Sequence, residues 1–419
     1  MTTEAPSPTL GDVVAVLERM YDPSWARDWD AVGLVCGDPD SPVRRVLLAV
    51  DPSPSVIEEA LAWRADLVIT HHPLFLRPVH GIPTSTQKGR VVHQLVRGGC
   101  ALYTAHTNAD VAAPGVSDAL ARVLGLTDLV PLSADDADPT DKVVTFVPEA
   151  AVEKVIDALA AAGAGELGEY QRCAWTATGT GTFVQGPPPA SLLGIAEEGE
   201  EGATGPGGAP HKAHRPHEAD REPGERESVE ERRIEMVVPR PRRAAALAAL
   251  RLAHPYADPT IDVYQLAPWS GPRGIGRVGT LGTPTSLREF AMLVAEALPG
   301  TAQGVRVAGE PTSVVQRVAV CGGAGDSLFD AVRGSGADVF VTADLRHHPA
   351  SELRDRAGDG PPYLVDVAHW ASEWPWLAGV ANRLEGAMDE LGRPIEVHVS
   401  TRTTDPWTFR LPSPGGVVR

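Results

Sequence analysis

The sequence predicts an α/β fold: two related α/β halves with mainly parallel sheets, and between them an inserted ferredoxin-like α+β domain. Three observations predict it. Short apolar runs alternate with helix-like segments toward both ends of the chain, one strand-helix-strand unit occurs twice at an offset of 272 residues, and the middle reads β-α-β, a polar linker, then β-α-β again. The expected boundaries are 1–135 for the first half, 136–269 for the insertion and 270–419 for the second half.

Leu10, Val13, Val14 and Leu17 recur at helical spacing and predict an amphipathic first helix. Val46 to Val50 is an apolar run that ends at Asp51-Pro52-Ser53; a helix-like Val56 to Arg64 and a second run, Leu67 to Thr70, follow it. A helix over Arg90 to Arg97 then leads to the run Cys100 to Ala105. Continuous apolar strands of this kind belong to sheets covered on both faces. The offset of 272 lays Arg45-Val46 on Arg317-Val318, Ala65-Asp66 on Ala337-Asp338 and Thr70 on Thr342 without a gap. Further on, Ala105-His106 with Asp110 matches Ala368-His369 with Glu373 at an offset of 263. In the middle, Lys142 to Val147, Ala151 to Ala162 and Thr176 to Val184 read β, α, β, as do Ile234 to Val238, Arg243 to Leu252 and Thr260 to Leu266. Between these triplets, residues 196–233 hold eleven acidic and six basic residues, and only Val229 among Val, Ile, Leu, Met and Phe. Such a stretch buries too little apolar surface to offset its ordering entropy, so a disordered linker is expected there. Its His211, His214 and His217 are read as part of that solvated tether.

Across 419 residues, 55 acidic against 37 basic side chains leave a formal charge of −18, which argues against general nucleic-acid binding and against an anionic membrane surface. The chain has no apolar run long enough for a membrane helix, and MTTEAPSPTL has neither a basic nor an apolar leader region, so a cytoplasmic protein is expected. Cys36, Cys100, Cys173 and Cys321 are too scattered for a disulfide framework or a Cys-rich zinc site.

Chemistry-bearing residues gather just past the apolar runs. His71-His72-Pro73 follows the run ending at Thr70, and adjacent strand residues point to opposite faces, so the two imidazoles reach two neighbouring ions more naturally than one. His106 with Asp110, and His369 with Glu373, are spaced by four, which puts each pair on one face of a helix. Imidazole with carboxylate suits Zn, Fe, Mn, Co or Ni better than Ca or Mg. In open α/β sheets ligands bind beyond the carboxyl ends of the strands, where these motifs lie.

WDAVGL, VITHHPLF, AHTNAD, GRVGTL, TADLRHHPA and DVAHWASEW, in this order, resemble the Nif-three-like dinuclear metal-centre family, the GTP cyclohydrolase 1 type 2 homologues, in its long form with a central insertion. The resemblance implies two divalent transition-metal ions per chain, held by His71, His72, Asp110, His369 and Glu373, with Glu373 bridging both. It implies His72 and Asp110 chiefly on one ion and His71 and His369 on the other. His106 is then a neighbouring group that orients a ligand or shuttles protons as a catalytic residue. The resemblance also implies a homohexamer with sites facing an internal cavity, and a PII-like or CutA-like character for the insertion. The function it leads to is a metal-dependent hydrolase, of cyclohydrolase or phosphoesterase type, that attacks a small anionic nucleotide or phosphoester through a metal-bridging hydroxide, with the ions about 3.5–4 Å apart. The alternative is a non-catalytic metal-binding, metallochaperone or regulatory hexamer; a third reading has ions that only hold the halves together.

Several neighbours carry weaker readings. Cys321-Gly322-Gly323-Ala324-Gly325-Asp326 reads as a tight βα turn or an anion-binding loop. Arg77, Lys88, Arg90 and Arg346 are candidates to neutralise phosphate. Trp370, Trp374 and Trp376 are expected in a pocket, a subunit contact or the core, and Asp28, Trp29 and Asp30 beside the pocket. A second adjacent pair, His347-His348, shows that such pairs also occur without the motif context.

Overall fold

The computed structural model describes residues 7–184 and 226–411, which divide into two compact units: residues 1–135 with 270–419, and residues 136–269. In chain order the first segment runs α1 (Leu10–Met20), β1 (Gly33–Cys36), β2 (Arg45–Ala49), α2 (Pro54–Trp63), β3 (Leu67–Thr70), α3 (Gln87–Gly98), β4 (Ala101–Thr104), α4 (Thr107–Val111), α5 (Val116–Val123) and β5 (Leu126–Asp136). The insertion contributes β6 (Thr140–Val147), α6 (Val152–Ala161), β7 (Trp175–Val184), β8 (Arg226–Pro239), α7 (Arg243–Ala253) and β9 (Ile261–Gln265). The last segment holds β10 (Ser270–Ser286), α8 (Leu287–Ala297), β11 (Arg306–Ala308), β12 (Val314–Ala324), α9 (Phe329–Ser335), β13 (Val339–Ala343), α10 (His347–Ala357), β14 (Tyr363–Val367), α11 (His369–Glu373), α12 (Pro375–Glu390) and β15 (Glu396–Val399).

The two-segment unit carries two sheets, ordered β1-β4-β3-β2-β15 and β11-β14-β13-β12-β10-β5. Strands β15, β2, β3 and β4 run parallel, as do β12, β13 and β14, while β1, β10 and β11 are antiparallel to their neighbours β4, β12 and β14. The repeat is thus real in space: β2-α2-β3-α3-β4 and β12-α9-β13-α10-β14 have the same connectivity and strand order. Alternation along the strands divides the side chains between two layers. Val46, Leu48, Leu67 and Ile69 join Val318, Val320, Val339 and Val341 in one core shared by both sheets, to which α12 adds Trp376, Leu377, Val380 and Leu384. Leu47, Ala49, Val68 and Leu102 face α2 and α3 instead, and Ala319, Phe340 and Leu364 pack with Phe329, Val332 and Leu353 from α9 and α10. The halves also exchange edges, since β5 borders β10 and β15 pairs with β2.

The insertion forms its own four-stranded sheet, β7-β8-β6-β9, with each pairing antiparallel, over a core of Val143, Val155, Leu159, Ile234, Met236 and Leu250. One expectation is corrected here. Residues 226–233, assigned to the disordered linker, form the first part of β8 and pair residue by residue with β7, from Ala177 opposite Arg233 to Val184 opposite Arg226. Backbone pairing does not require apolar side chains, and alternation buries Glu227 and Glu231 while Arg232 reaches Glu149. The remainder of that linker, 196–225, with His211, His214 and His217, lies outside the described residues.

Candidate metal centre

Strand β3 ends at Thr70, but its backbone continues for two residues alongside β2: His71 N donates to Ala49 O (3.2 Å) and His72 N to Val50 O (2.8 Å). Pro73 supplies no amide and the ladder stops. Because the strand ends there, the two imidazoles are not held on opposite faces, and their ring centroids lie 5.1 Å apart. The short helix α4 carries Asp110 one turn after His106, and α11 carries His369 and Glu373 on one face, with His369 Nε2 2.9 Å from Glu373 Oε1.

These groups converge. Glu373 Oε1 lies 3.5 Å from His71 Nε2, Glu373 Oε2 lies 3.1 Å from His72 Nε2, and Asp110 Oδ1 lies 3.6 Å from His71 Nε2. A donor atom of each of His72, His369 and Glu373 falls within 4.8 Å of the others, and the same holds for His71, His72 and His106. The distances divide these groups in two ways: Glu373 Oε1 faces both His71 and His369 while Oε2 faces His72, as the resemblance implies, whereas Asp110 lies nearest His71 and donor atoms of His72 and His369 fall together. His71 is fully buried and turned toward the chain leading into α4, whereas His72 turns toward Asp51. His106 is also closer than expected, with a donor atom among those of His71 and His72.

Each of the four rings is fixed through its Nδ1. That of His71 bonds Ala105 O (2.9 Å), that of His72 bonds Asp51 Oδ1 (2.7 Å), that of His106 bonds Asp30 Oδ1 (2.8 Å) and that of His369 bonds Asp344 Oδ2 (2.6 Å). A hydrogen bond at Nδ1 sets the tautomer and leaves the Nε2 lone pair for a ligand. Asp30 is itself held by the amide and hydroxyl of Thr107.

The donor set fits a metal. His71 Nε2 and Glu373 Oε2 are buried with no hydrogen-bond partner, an arrangement that costs free energy unless another group satisfies them. Burial pushes the Glu373 carboxyl up, but His72, His71 and His369 around it hold it well below the ordinary range. Burial likewise opposes charge on His369, yet Glu373 and Asp344 bring it up to about 10; His71 and His72 are raised against burial mainly by Glu373. Burial, with Glu373 nearby, raises Asp110. A carboxylate encircled by imidazoles that gather protons is the electrostatic counterpart of a cation site.

The glycine-rich turn acquires a different role from anion binding. Gly323 has φ +68°, and a Cβ there would stand 2.6 Å from Glu373 Oε1 and 3.1 Å from His369 Nε2. Its backbone forms a wall of the site, fixed by Gly323 N donating to Ser372 Oγ (2.8 Å). Helix α9 behind it begins only at Phe329. Trp370 and Trp376 belong to the shared core, Trp376 with its Nε1 on Tyr21 Oη (3.1 Å), and half-buried Trp374 donates to Ser400 O (3.0 Å). Trp29 is exposed and edges against His106. Among the described residues no metal-competent group includes His347 or His348, which start α10. Sequence reasoning missed Asp51 and Asp344. The repeat held a signal for the second, because the offset of 272 lays Asp344 on His72.

The family model described as Duf34/NIF3 (NGG1p interacting factor 3) matches residues 8–406. A protein of Mycobacterium tuberculosis named GTP cyclohydrolase 1 type 2 homolog is 45% identical over 405 residues, 96% of this chain and 97% of that one. Its namesake from Mycobacterium leprae is 44% identical over 404 residues, 96% of each chain. The crystal structure of a Bacillus cereus protein related to NIF3 superposes with a TM-score of 0.76 at 33% identity, covering 97% of this chain and 100% of that one. With the motif-bearing segments all inside the matched span, the chain belongs to the Duf34/NIF3 family.

Proposed function

We propose that the chain is a two-metal-dependent hydrolase acting on a small nucleotide or phosphoester. The observation that carries this reading is the convergence of four Nδ1-tethered histidines on Asp110 and on a buried Glu373 whose two oxygens face different imidazoles. His71, His72, Asp110 and His369 would hold the two ions, with His106 beside them, and Glu373 would serve both. Two such ions, of the Zn, Fe, Mn, Co or Ni type, supply Lewis acidity and lower the pKa of water. Asp51 and Asp344 keep His72 and His369 in the ligating tautomer. The Asp30-His106 pair provides a group able to take up a proton beside the site.

The burial of His71 and Glu373 favours a second reading, a tightly held ion in a metal-binding or regulatory protein. We read the 136–269 unit as a ferredoxin-like, PII-like module, supported by its β-α-β-β-α-β order and the sheet order β9-β6-β8-β7. A homohexamer belongs to both readings, and exposed Trp407, Phe409 and Leu411 support a surface covered by assembly. Among the described residues no helix is long and apolar enough to cross a membrane.

The test measures metal content by mass spectrometry in untagged protein purified without added metal, together with turnover of a phosphoester and nucleotide panel. Near two ions per chain, with turnover in proportion to occupancy, is expected. Full occupancy without turnover moves the function to the binding reading, and metal-free wild type overturns both.

A further inference from the structure

Of the four cations read as neutralising phosphate, Arg90 is engaged with the carbonyls of Thr84 (3.1 Å) and Ser85 (3.4 Å), Arg346 is paired with Asp326, and Arg77 and Lys88 are exposed. A longer-range contact reaches the metal centre from the C-terminal segment. Past the pairing of β15 with β2, Ser400 N donates to Leu48 O (2.8 Å). Glu59 on α2 receives Ser400 Oγ (2.7 Å) and Arg402 Nε (3.0 Å) on its Oε2, and Trp374, the residue after Glu373, donates to Ser400 O (3.0 Å). From this anchorage Thr404 Oγ1 donates to Asp51 Oδ2, across a sequence separation of 353 residues. Further on, Arg410 Nη1 donates to Gln303 O (3.1 Å), and Gln303 Nε2 donates to Val367 O (3.2 Å), two residues before His369.

Asp51 is thereby held at both oxygens: Oδ1 meets His72 Nδ1 (2.7 Å) and Oδ2 accepts from Thr404. The second contact matters because the torsion that turns an aspartate carboxylate is broad, so a carboxylate bonded through one oxygen swings and carries its imidazole with it. A donor on each oxygen fixes the plane. The same construction stands behind His106, where Thr107 gives its hydroxyl to Asp30 Oδ2 and Asp30 Oδ1 meets His106 Nδ1 (2.8 Å). There the threonine follows its histidine directly; behind His72 it comes from the other end of the chain. Among the described residues no hydroxyl bonds Asp344, whose side chain is 56% exposed, so the device serves His72 and not His369. Asp405, next to Thr404, lies near both orienting aspartates: burial raises its carboxyl, the Trp407 backbone opposes this, and Asp344 and Asp51 add to the rise.

We infer that Thr404 is a positioning residue of the metal centre: its hydroxyl fixes Asp51, Asp51 fixes His72, and the C-terminal segment that carries it is part of the site's construction. The inference rests on the metal-centre reading. A ligand restrained before its ion arrives loses less freedom when the ion binds, so the hydroxyl is expressed as metal affinity.

Titration of Zn²⁺ into full-length, metal-stripped protein, in competition with a chromophoric chelator, gives the affinity for each ion and tests this. The proteins compared are wild type, Thr404→Val, Thr404→Ser, Asp51→Ala and the double variant Thr404→Val with Asp51→Ala. Thr404→Val keeps the shape, removes the hydroxyl, and is expected to weaken one of two ions about five- to tenfold. Thr404→Ser should restore wild-type affinity, and the double variant should bind no more weakly than Asp51→Ala alone, because the threonine acts through the aspartate. A threonine that only pins the chain end behaves differently: Thr404→Val then lowers the melting temperature of the metal-free protein and leaves both Zn²⁺ affinities as in wild type, which overturns the proposal. Additive losses in the double variant also overturn it, since they take Asp51 out of the path. Two ions bound by wild type with an inert Thr404→Val remove this role alone, whereas a wild type that takes up no Zn²⁺ removes the metal-centre reading and this role together.

Discussion

The two copies of the repeat share a scaffold and differ in what they bring to its end. After β3 the first copy places His71 and His72; at the end of β13 the second places Ala343, followed by Asp344, at the matching positions. After β2 the first copy has Asp51, which holds His72; after the matching run in β12 the second has Gly323, which makes room for Glu373. Only the His-x-x-x-carboxylate past β4 and β14 is common to both, as His106 with Asp110 and His369 with Glu373. The lesson is a division of labour. The first copy contributes most of the imidazoles, and the second contributes the buried carboxylate, an orienting aspartate and the space. Duplication supplied equivalent strand ends, and divergence at three positions made them complementary.

The sharpest test of that division compares the two carboxylates that the repeat makes equivalent. Glu373→Ala removes the group in contact with His71, His72 and His369 and is expected to cost essentially all bound metal. Asp110→Ala removes a group at the edge of the cluster, 3.6 Å from His71 Nε2, and is expected to leave about one ion per chain. Metal content by mass spectrometry reads the difference. Equal losses in the two variants would mean that the halves contribute symmetrically.

The scaffold is legible in the sequence because burial on both faces forces β2, β3, β4 and β12 to β14 into uninterrupted apolar runs, and duplication leaves residues such as Thr70 and Thr342 in register. The converging side chains are legible for a related reason: each follows one of those runs directly. The orienting roles of Asp51 and Asp344 are not, although the repeat lays Asp344 on His72, because each meets its histidine only through the adjacency of strands 21 and 25 residues apart in sequence. The exchange of β5 and β15 between sheets has no local signal, as strand pairing across the chain is a property of packing. Residues 226–233 misled because composition reports whether side chains can build a core, and β8 there is ordered by backbone pairing with β7.

Gly323→Ala probes the space the second copy provides. The substitution places a methyl 2.6 Å from Glu373 Oε1 and forces a left-handed φ of +68° on a residue with a Cβ. A loss of about 2 kcal/mol or more is expected, with reduced metal content, whereas alanine at its counterpart Asp51 meets no such geometric conflict. Denaturant melts of both variants measure it, and a Gly323→Ala protein as stable and as metal-rich as wild type would remove the role assigned to that turn.

The orienting aspartates should separate the two histidine partners less severely. Asp51→Asn and Asp344→Asn each retain shape while withdrawing the charge behind one ring, so a loss of about ten- to a hundredfold in affinity for one ion is expected from either. Since Asp51 serves His72 and Asp344 serves His369, which share Glu373, the two variants should weaken the same ion and the double variant should gain little beyond the stronger single one. Losses that fall on different ions would instead pair His71 with His369, the two imidazoles that face Glu373 Oε1.

Where the copies have not diverged, the effects should match. Asp66 Oδ2 accepts from Arg44 N (2.8 Å) and Arg45 N (2.9 Å), and Asp338 Oδ2 accepts from Gln316 N and Arg317 N (2.8 Å each), at positions 272 apart. Each aspartate, from the residue before β3 or β13, holds the start of β2 or the matching stretch of β12 at the opposite end of the strands from the ligands, so nothing in the division of labour bears on it. Asp66→Asn and Asp338→Asn each weaken two charge-assisted bonds at a partly exposed site, about 1 kcal/mol. The amides of residues 44 and 45 in one variant, and of 316 and 317 in the other, should then exchange hydrogen about fivefold faster, with metal content untouched in both. Unequal acceleration would show that the second copy, which gave up its histidines for space, also gave up local stability; equal acceleration confines the divergence of the halves to the strand ends that face the metal.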